Sequence, residues 1–153
     1  MSAIKEWFGI YNMLFRHMKE TFGEQELREY LEYLADTAYA DVSKDFAANG
    51  LVRISERYID NFIKDGGIAS VDGGEAAVVS DNGTLSLRID KCPAYGYMLT
   101  SENPYDKPEQ YFCDCCSRLN SRILSNAGCQ LFITDISRDG KCNWRIVKGV
   151  SEE

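Results

Sequence analysis

The chain has 153 residues, 44% hydrophobic and 27% charged, with a formal net charge of -7, which fits a single domain able to bury one core without staples. The negative balance repels phosphate backbones and anionic lipid, so nucleic acid and membrane surfaces are set aside as partners. No stretch is apolar for long enough to cross a bilayer, and Met1 to Phe15 carries Lys5 and Glu6 within an amphipathic pattern unlike a signal peptide.

The expected location is therefore cytoplasmic and the expected partner a small-molecule substrate or ligand. Self-association as a homo-oligomer is compatible with the composition and not specified by it.

From Ser2, an N-cap residue type, Ile4, Trp7, Phe8, Tyr11, Leu14, Phe15, Met18 and Phe22 recur at three- and four-residue steps up to Gly23. The spacing predicts one amphipathic helix. A second is expected from Glu24, with Leu27, Leu31, Leu34, Ala35, Val42 and Phe46 on one stripe, ending at Asn49-Gly50 where a left-handed cap is easy. A third, Leu51 to about Lys64, repeats the spacing with Ile54, Tyr58, Ile59 and Phe62 and stops at Gly66-Gly67. His17, the only histidine, lies in the first helix off the centre of its stripe and far in sequence from any cysteine. An exposed or half-buried histidine is expected there rather than a ligand or general base.

After Asp72-Gly73-Gly74, Glu75 to Ser80 reads as a strand and Asp81-Asn82-Gly83 as a tight reversal. Thr84 to Cys92 then alternates, Leu85, Leu87 and Ile89 against Ser86, Arg88 and Asp90, as a strand does in a sheet with one packed and one wet face. Cys92-Pro93 ends it, because proline lacks the ladder donor. Ala94 to Thr100 is ambiguous between strand and loop, and Ser101 to Lys107 reads as loop. Pro108 suits the first position of a helix that closes at Gly128, with Phe112, Cys115, Cys116, Leu119, Ile123 and Ala127 as its apolar stripe. Cys113, Cys116 and Asn120 share a neighbouring face.

Cys129 to Ser137 and Cys142 to Lys148 flank Asp139-Gly140, a hairpin signal. A two-residue loop there sets Asp135 opposite Trp144 and Ile133 opposite Ile146, on the face shared by Leu131 and Cys142. Helices first, then strands with one helix among them, argue an α+β fold: three N-terminal helices packed on an antiparallel sheet, with a further helix inserted before a C-terminal β-hairpin. No linker or repeat divides it. Residues 1–153 form one domain, 1–66 helical and 68–150 carrying the sheet, the inserted helix and every cysteine.

The thiols follow C-x20-C-x-C-C-x12-C-x12-C. In a reducing compartment, clustered cysteines point to metal ligation, catalysis or burial more than to disulfides. Cys113 and Cys116 have the spacing that lets two sulfurs bind one ion, and Cys92 and Cys142 are the partners expected to complete a zinc shell. An iron-sulfur cluster is the alternative on four thiolates, and a redox pair at Cys113 and Cys116 a third option. Cys115 and Cys129 are expected to be small buried hydrophobes. In a catalytic version, the metal polarises substrate or lowers the pKa of bound water with Asp114 or Asp135 as general base, and a metal-free variant uses Cys113 or Cys116 as nucleophile. In a binding version, Tyr95, Tyr97, Phe112 and Trp144 line a ligand pocket.

The succession Gly23-Glu24-Gln25-Glu26, Cys92-Pro93, Phe112-Cys113-Asp114-Cys115-Cys116 and Gly140-Lys141-Cys142-Asn143-Trp144 resembles the L-2-amino-thiazoline-4-carboxylic acid hydrolase-like family over nearly the whole chain. That resemblance implies attack of water on the amidine carbon of a cyclic thiazoline, opening the ring toward a cysteine derivative. The closing hairpin is also similar to 4-vinyl-reductase-type small-molecule-binding domains, which implies a pocket between helices and sheet and a zinc held near the final hairpin by a glutamate and two cysteines. Cys142 matches one of those thiols, whereas Thr134 and Asp135 stand where the acidic residue and the second cysteine would be sought.

Overall fold

The computed structural model describes residues 2–58, 75–81, 83–92, 98, 102, 110–134, 136 and 141–149. Its elements are α1 (Ser2–Phe22), α2 (Glu24–Asp36), α3 (Ala40–Tyr58), β1 (Glu75–Asp81), β2 (Thr84–Lys91), α4 (Gln110–Asn126), β3 (Cys129–Thr134) and β4 (Cys142–Lys148). The class is the α+β one that the order of apolar patterns predicts. All pairings in the four-stranded sheet, β1-β2-β4-β3, are antiparallel, so two hairpins meet along β2 and β4 and leave β1 and β3 as edges.

The helices differ from expectation at one junction. The stripe from Leu27 to Phe46 is divided: α2 stops at Asp36, Thr37 to Tyr39 turn, and α3 begins at Ala40. Thr37, the C-cap of α2, donates its N–H to the Tyr33 carbonyl at 3.0 Å as the last bond of the helix ladder and its hydroxyl to the same oxygen at 2.6 Å, a side-chain bond that competes with continuing the helix. The turn lets the two halves face different neighbours. Leu27 and Leu31 join Phe15 and Cys115 in a cluster between α1, α2 and α4, whereas Tyr39, Val42 and Phe46 pack toward the sheet. Gly50 takes the expected positive φ, 70, with ψ -160, and breaks the helical backbone where the sequence places the end of one helix and the start of the next at Leu51; the segments on either side are counted together as α3. The expected continuation past Tyr58 and the stop at Gly66-Gly67 lie outside the described residues.

On the sheet the sequence pattern translates directly. Leu85, Leu87, Ile89, Trp144 and Ile146 are buried on the covered face against Phe46, Ile54, Ile123 and Leu124, each such side chain contributing about 1.5–3 kcal/mol when fully withdrawn from water. Ser86, Arg88 and Arg145 face out, and the Arg145 guanidinium lies 4.8 Å from the Phe132 ring centre on that open face. At the first hairpin Asp81 pairs with Thr84 and Gly83 has φ 78, as the predicted tight reversal at Asn-Gly requires.

The last hairpin is displaced by two residues from the expected register. Ile133 stands opposite Trp144 and Leu131 opposite Ile146, with Thr134 opposite Asn143. The expected pairing would have set the Asp135 carboxylate against the buried Trp144, a desolvation cost that an isoleucine avoids. An even shift leaves every side chain on its face, so Cys142 stays on the covered side, directly opposite Ile89 of β2.

Two polar ties lock the helices. Asp36 at the end of α2 accepts from Arg122 twice at 3.0 Å and from Asn126 at 2.7 Å, fastening α2 to α4. Arg122 and then Asn126 hold its carboxyl down, to about 2. Ser43, buried, donates to the Ile123 carbonyl at 2.9 Å and fastens α3 to α4. Gly128 ends the α4 turn with φ 80, and Gly149 donates to its carbonyl at 2.6 Å, clamping the two ends of the closing hairpin.

Candidate thiol site

Cys115 and Cys116 are consecutive, yet α4 carries them to opposite sides. Successive helical residues are separated by about 100°, and α4 is sandwiched between the α1–α2 pair and the sheet. Cys115 is 3% exposed among Phe15, Leu27 and Leu31, while Cys116 packs with Cys92 and Cys142 against the sheet core. Cys113, half-buried, lies one turn before Cys116, and Cys92 follows β2 at the end of the sheet where Cys142 begins β4.

The mutual electrostatics identify which thiols are neighbours. Burial first, then the charges of Cys92 and Asp114, pushes the Cys113 thiol up to about 11. Burial, again with Cys92 and also Cys113, pushes Cys142 up to about 12 against a relieving hydrogen bond from the Trp144 side chain. Cys116 is the most strongly raised, by burial and then by Cys92, Cys142 and Cys113, with Asn120 opposing. The Asn120 amide stands 3.6 Å from the Cys116 sulfur while bonding its carbonyl at 2.9 Å. Cys92, Cys113, Cys116 and Cys142 thus form one electrostatic group, and no positive side chain is among the causes acting on Cys113, Cys116 or Cys142.

Cys115 and Cys129 stand apart from that group. Burial and Asp114 push Cys115 up to about 12, with Arg118 and Lys19 opposing, and burial raises Cys129 against the single opposing charge of Lys148. Neither is influenced by another cysteine. All six thiols are free, and among the described residues no group of three or more His, Cys, Asp or Glu side chains is arranged to hold a metal ion.

Other candidates fall elsewhere. Asp114 is exposed beside a small groove with Lys19, Glu24, Arg28 and Arg118, on the α1–α2 side of α4, although its charge reaches Cys113. Asp135, Tyr95 and Tyr97 lie outside the described residues. Phe112 packs at 6.0 Å from Phe15 between helices, while Trp144 is buried in the sheet core, so these two aromatics belong to separate clusters and not to one shared pocket. His17 is exposed, 3.4 Å from the Thr21 hydroxyl and edge-on to Phe22, and does not figure in the surroundings of the shifted thiols.

Sequence reasoning did not single out Asn120 and Trp144 as donors to sulfur. Asn120 at i+4 from Cys116 was a visible signal for the first; the second depends on β-strand geometry that sequence spacing does not carry.

Chemically, thiols raised this far are poor nucleophiles. A thiol at about 11 is ionised in only about one molecule in ten thousand at pH 7. Among the described residues no positive side chain acts on Cys113, Cys116 or Cys142, and a bound cation is the agent that makes a coordinating thiol give up its proton. No helix among the described residues is long and apolar enough to cross a membrane. No protein-family model matches the chain, and no curated protein matches it.

Proposed function

We propose that this protein binds a thiophilic metal ion, zinc in the first instance, through Cys92, Cys113, Cys116 and Cys142. The observation that carries the reading is the gathering of these four thiols, from the end of β2, from α4 and from β4, at one end of the covered face of the sheet. Asn120 and Trp144 support it by offering N–H groups to two of the sulfurs, the outer-shell contacts that steady thiolate ligands. An all-sulfur donor set suits zinc or iron-sulfur chemistry and disfavours magnesium and calcium, which take oxygen.

A catalytic extension follows from the resemblance to the thiazoline hydrolases: ring-opening hydrolysis of a cyclic amidine at this end of the sheet. Asp114 supports it as an exposed carboxylate next to Cys113 in the chain whose charge raises that thiol, although it lines the groove on the α1–α2 side of α4. Bound zinc would supply Lewis acidity and a more acidic water. Four sulfurs would close the shell, so one must stay outside it for water to enter. Cys113 is the sulfur adjacent to that carboxylate.

Elemental analysis of protein purified without oxygen tests the reading. About one zinc per chain is expected, falling at least tenfold in Cys116→Ser and retained in Cys115→Ser. Metal at unchanged stoichiometry in both Cys113→Ser and Cys116→Ser refutes the ligand assignment, and iron with brown colour replaces zinc by a cluster. Turnover of 2-aminothiazoline-4-carboxylate that persists after metal removal and in the Cys113→Ser/Cys116→Ser double variant would sink the catalytic extension.

A further inference from the structure

A second site lies at the other end of the sheet. Cys142 and Lys148 stand at the two ends of β4, six steps and about 20 Å apart at the rise of a strand. At the Lys148 end is a cavity of about 250 Å³ walled by Phe46, Gly50, Leu51, Ala127, Cys129 and Lys148, among others.

Three features define what it takes. Its volume exceeds the roughly 150 Å³ that holds benzene and falls short of the roughly 300–1,000 Å³ of drug-sized pockets, which suits a single ring or a short branched chain with one polar group. Phe46, Ala47, Ala48, Leu51 and Ala127 give the lining an apolar part, and Asn49, backbone and Lys148 give it a polar part of similar extent, so the ligand must carry both. Among the described residues Lys148 is the only charged side chain in that lining, in a chain whose net charge is -7, and it has no ion pair with any of them. The nearby Asp45 is already held by Arg53 at 2.7 Å and Asn49 at 2.7 Å and does not compete.

The wall also contains broken helix. At Gly50, φ 70 and ψ -160 interrupt the helical backbone of α3, a helix end followed by a helix start, where carbonyls and amides respectively look outside the ladder for partners, as the Asp45 carbonyl does in accepting from the Asn49 amide at 3.2 Å. Donors and acceptors are both present there, so the sign of the ligand is decided by Lys148. Cys129, directly across the strand pair from Lys148 and 7% exposed, adds a thiol to the same end.

The geometry points to a binding site for a small carboxylate with an apolar body, its carboxylate on the Lys148 ammonium and its body against Phe46 and Leu51. Calorimetric titration with benzoate, and with benzamide as its uncharged counterpart, tests this on the full chain. Benzoate is expected to saturate one site, with at least tenfold weaker binding for benzamide and for Lys148→Met, and with affinity kept in Lys148→Arg and in Cys113→Ser. Equal binding of benzoate and benzamide, no loss in Lys148→Met, or no saturable benzoate binding overturns the proposal. Benzoate binding that disappears in Cys113→Ser but survives Lys148→Met also overturns it, by moving the ligand to the thiol end. Absence of metal with the expected benzoate pattern refutes the thiol-metal reading alone.

Discussion

The two faces of α4 make the sharpest comparison in the molecule. Toward α1 and α2 it presents Phe112, Cys115 and Leu119 to an apolar cluster in which a thiol is one more small hydrophobe. Toward the sheet it presents Cys116, whose neighbours include three further thiols and a side-chain amide. Identical chemistry at adjacent positions gives different potential, because a thiol acquires a role from the groups that share its space. Counting cysteines says little until the faces are known.

Several measurements would break or sharpen that contrast. The largest effect is expected on the helical side: Leu31→Ala, at a side chain 1% exposed, should cost about 3 kcal/mol in urea unfolding while leaving metal stoichiometry unchanged. A loss of metal in the folded variant would mean that the two faces are coupled and the contrast is false. On the sheet side, Cys116→Ser should lower metal affinity by about a hundredfold or more, whereas Cys115→Ser should keep the metal and lose about 1–2 kcal/mol of stability by burying a hydroxyl. Competition with a chromogenic chelator reads the first, and denaturation of the metal-free proteins the second.

Trp144→Phe removes the hydrogen bond to Cys142 and should weaken metal about tenfold, measured by the same competition. Unchanged affinity would remove Trp144 from the site. At the far end, Gly149→Ala would run its Cβ into the Gly128 carbonyl and should cost about 1–2 kcal/mol, with no effect on the thiol end some 20 Å away.

The smallest effect concerns Asp36. Its folded value, about 2, lies below the ordinary carboxylate value of 3.8. Its stabilising contribution is therefore complete above about pH 4 and is lost as pH falls toward 2, where the folded state must take up the proton. The urea midpoint of Asp36→Asn should fall less steeply over that window than that of the native chain. Parallel curves would show that the α2–α4 tie is too exposed to matter.

The strand pattern was legible because a period of two leaves little choice: alternation at Leu85, Leu87 and Ile89 names the buried face directly. The break at Thr37 was not, since the apolar stripe continues through it and the chain turns only because its two halves have different surfaces to cover. The hairpin register escaped for a similar reason. Asp139-Gly140 is a strong local signal, and the pairing of Ile133 with Trp144 answers to the core instead.

By itself the sequence determined the class of fold, the covered face of the sheet, the segregation of thiols into the C-terminal half and the spacing that sets Cys113 and Cys116 one turn apart. These follow from local periodicity, which each segment carries within itself. Only the tertiary structure decided that Cys116 looks toward Cys92 and Cys142 while Cys115 looks toward Phe15, that Trp144 reaches a sulfur, and that Lys148 guards a cavity beside Cys129. Those relations join residues distant in sequence, and they exist only once packing has fixed which side of α4 meets the sheet.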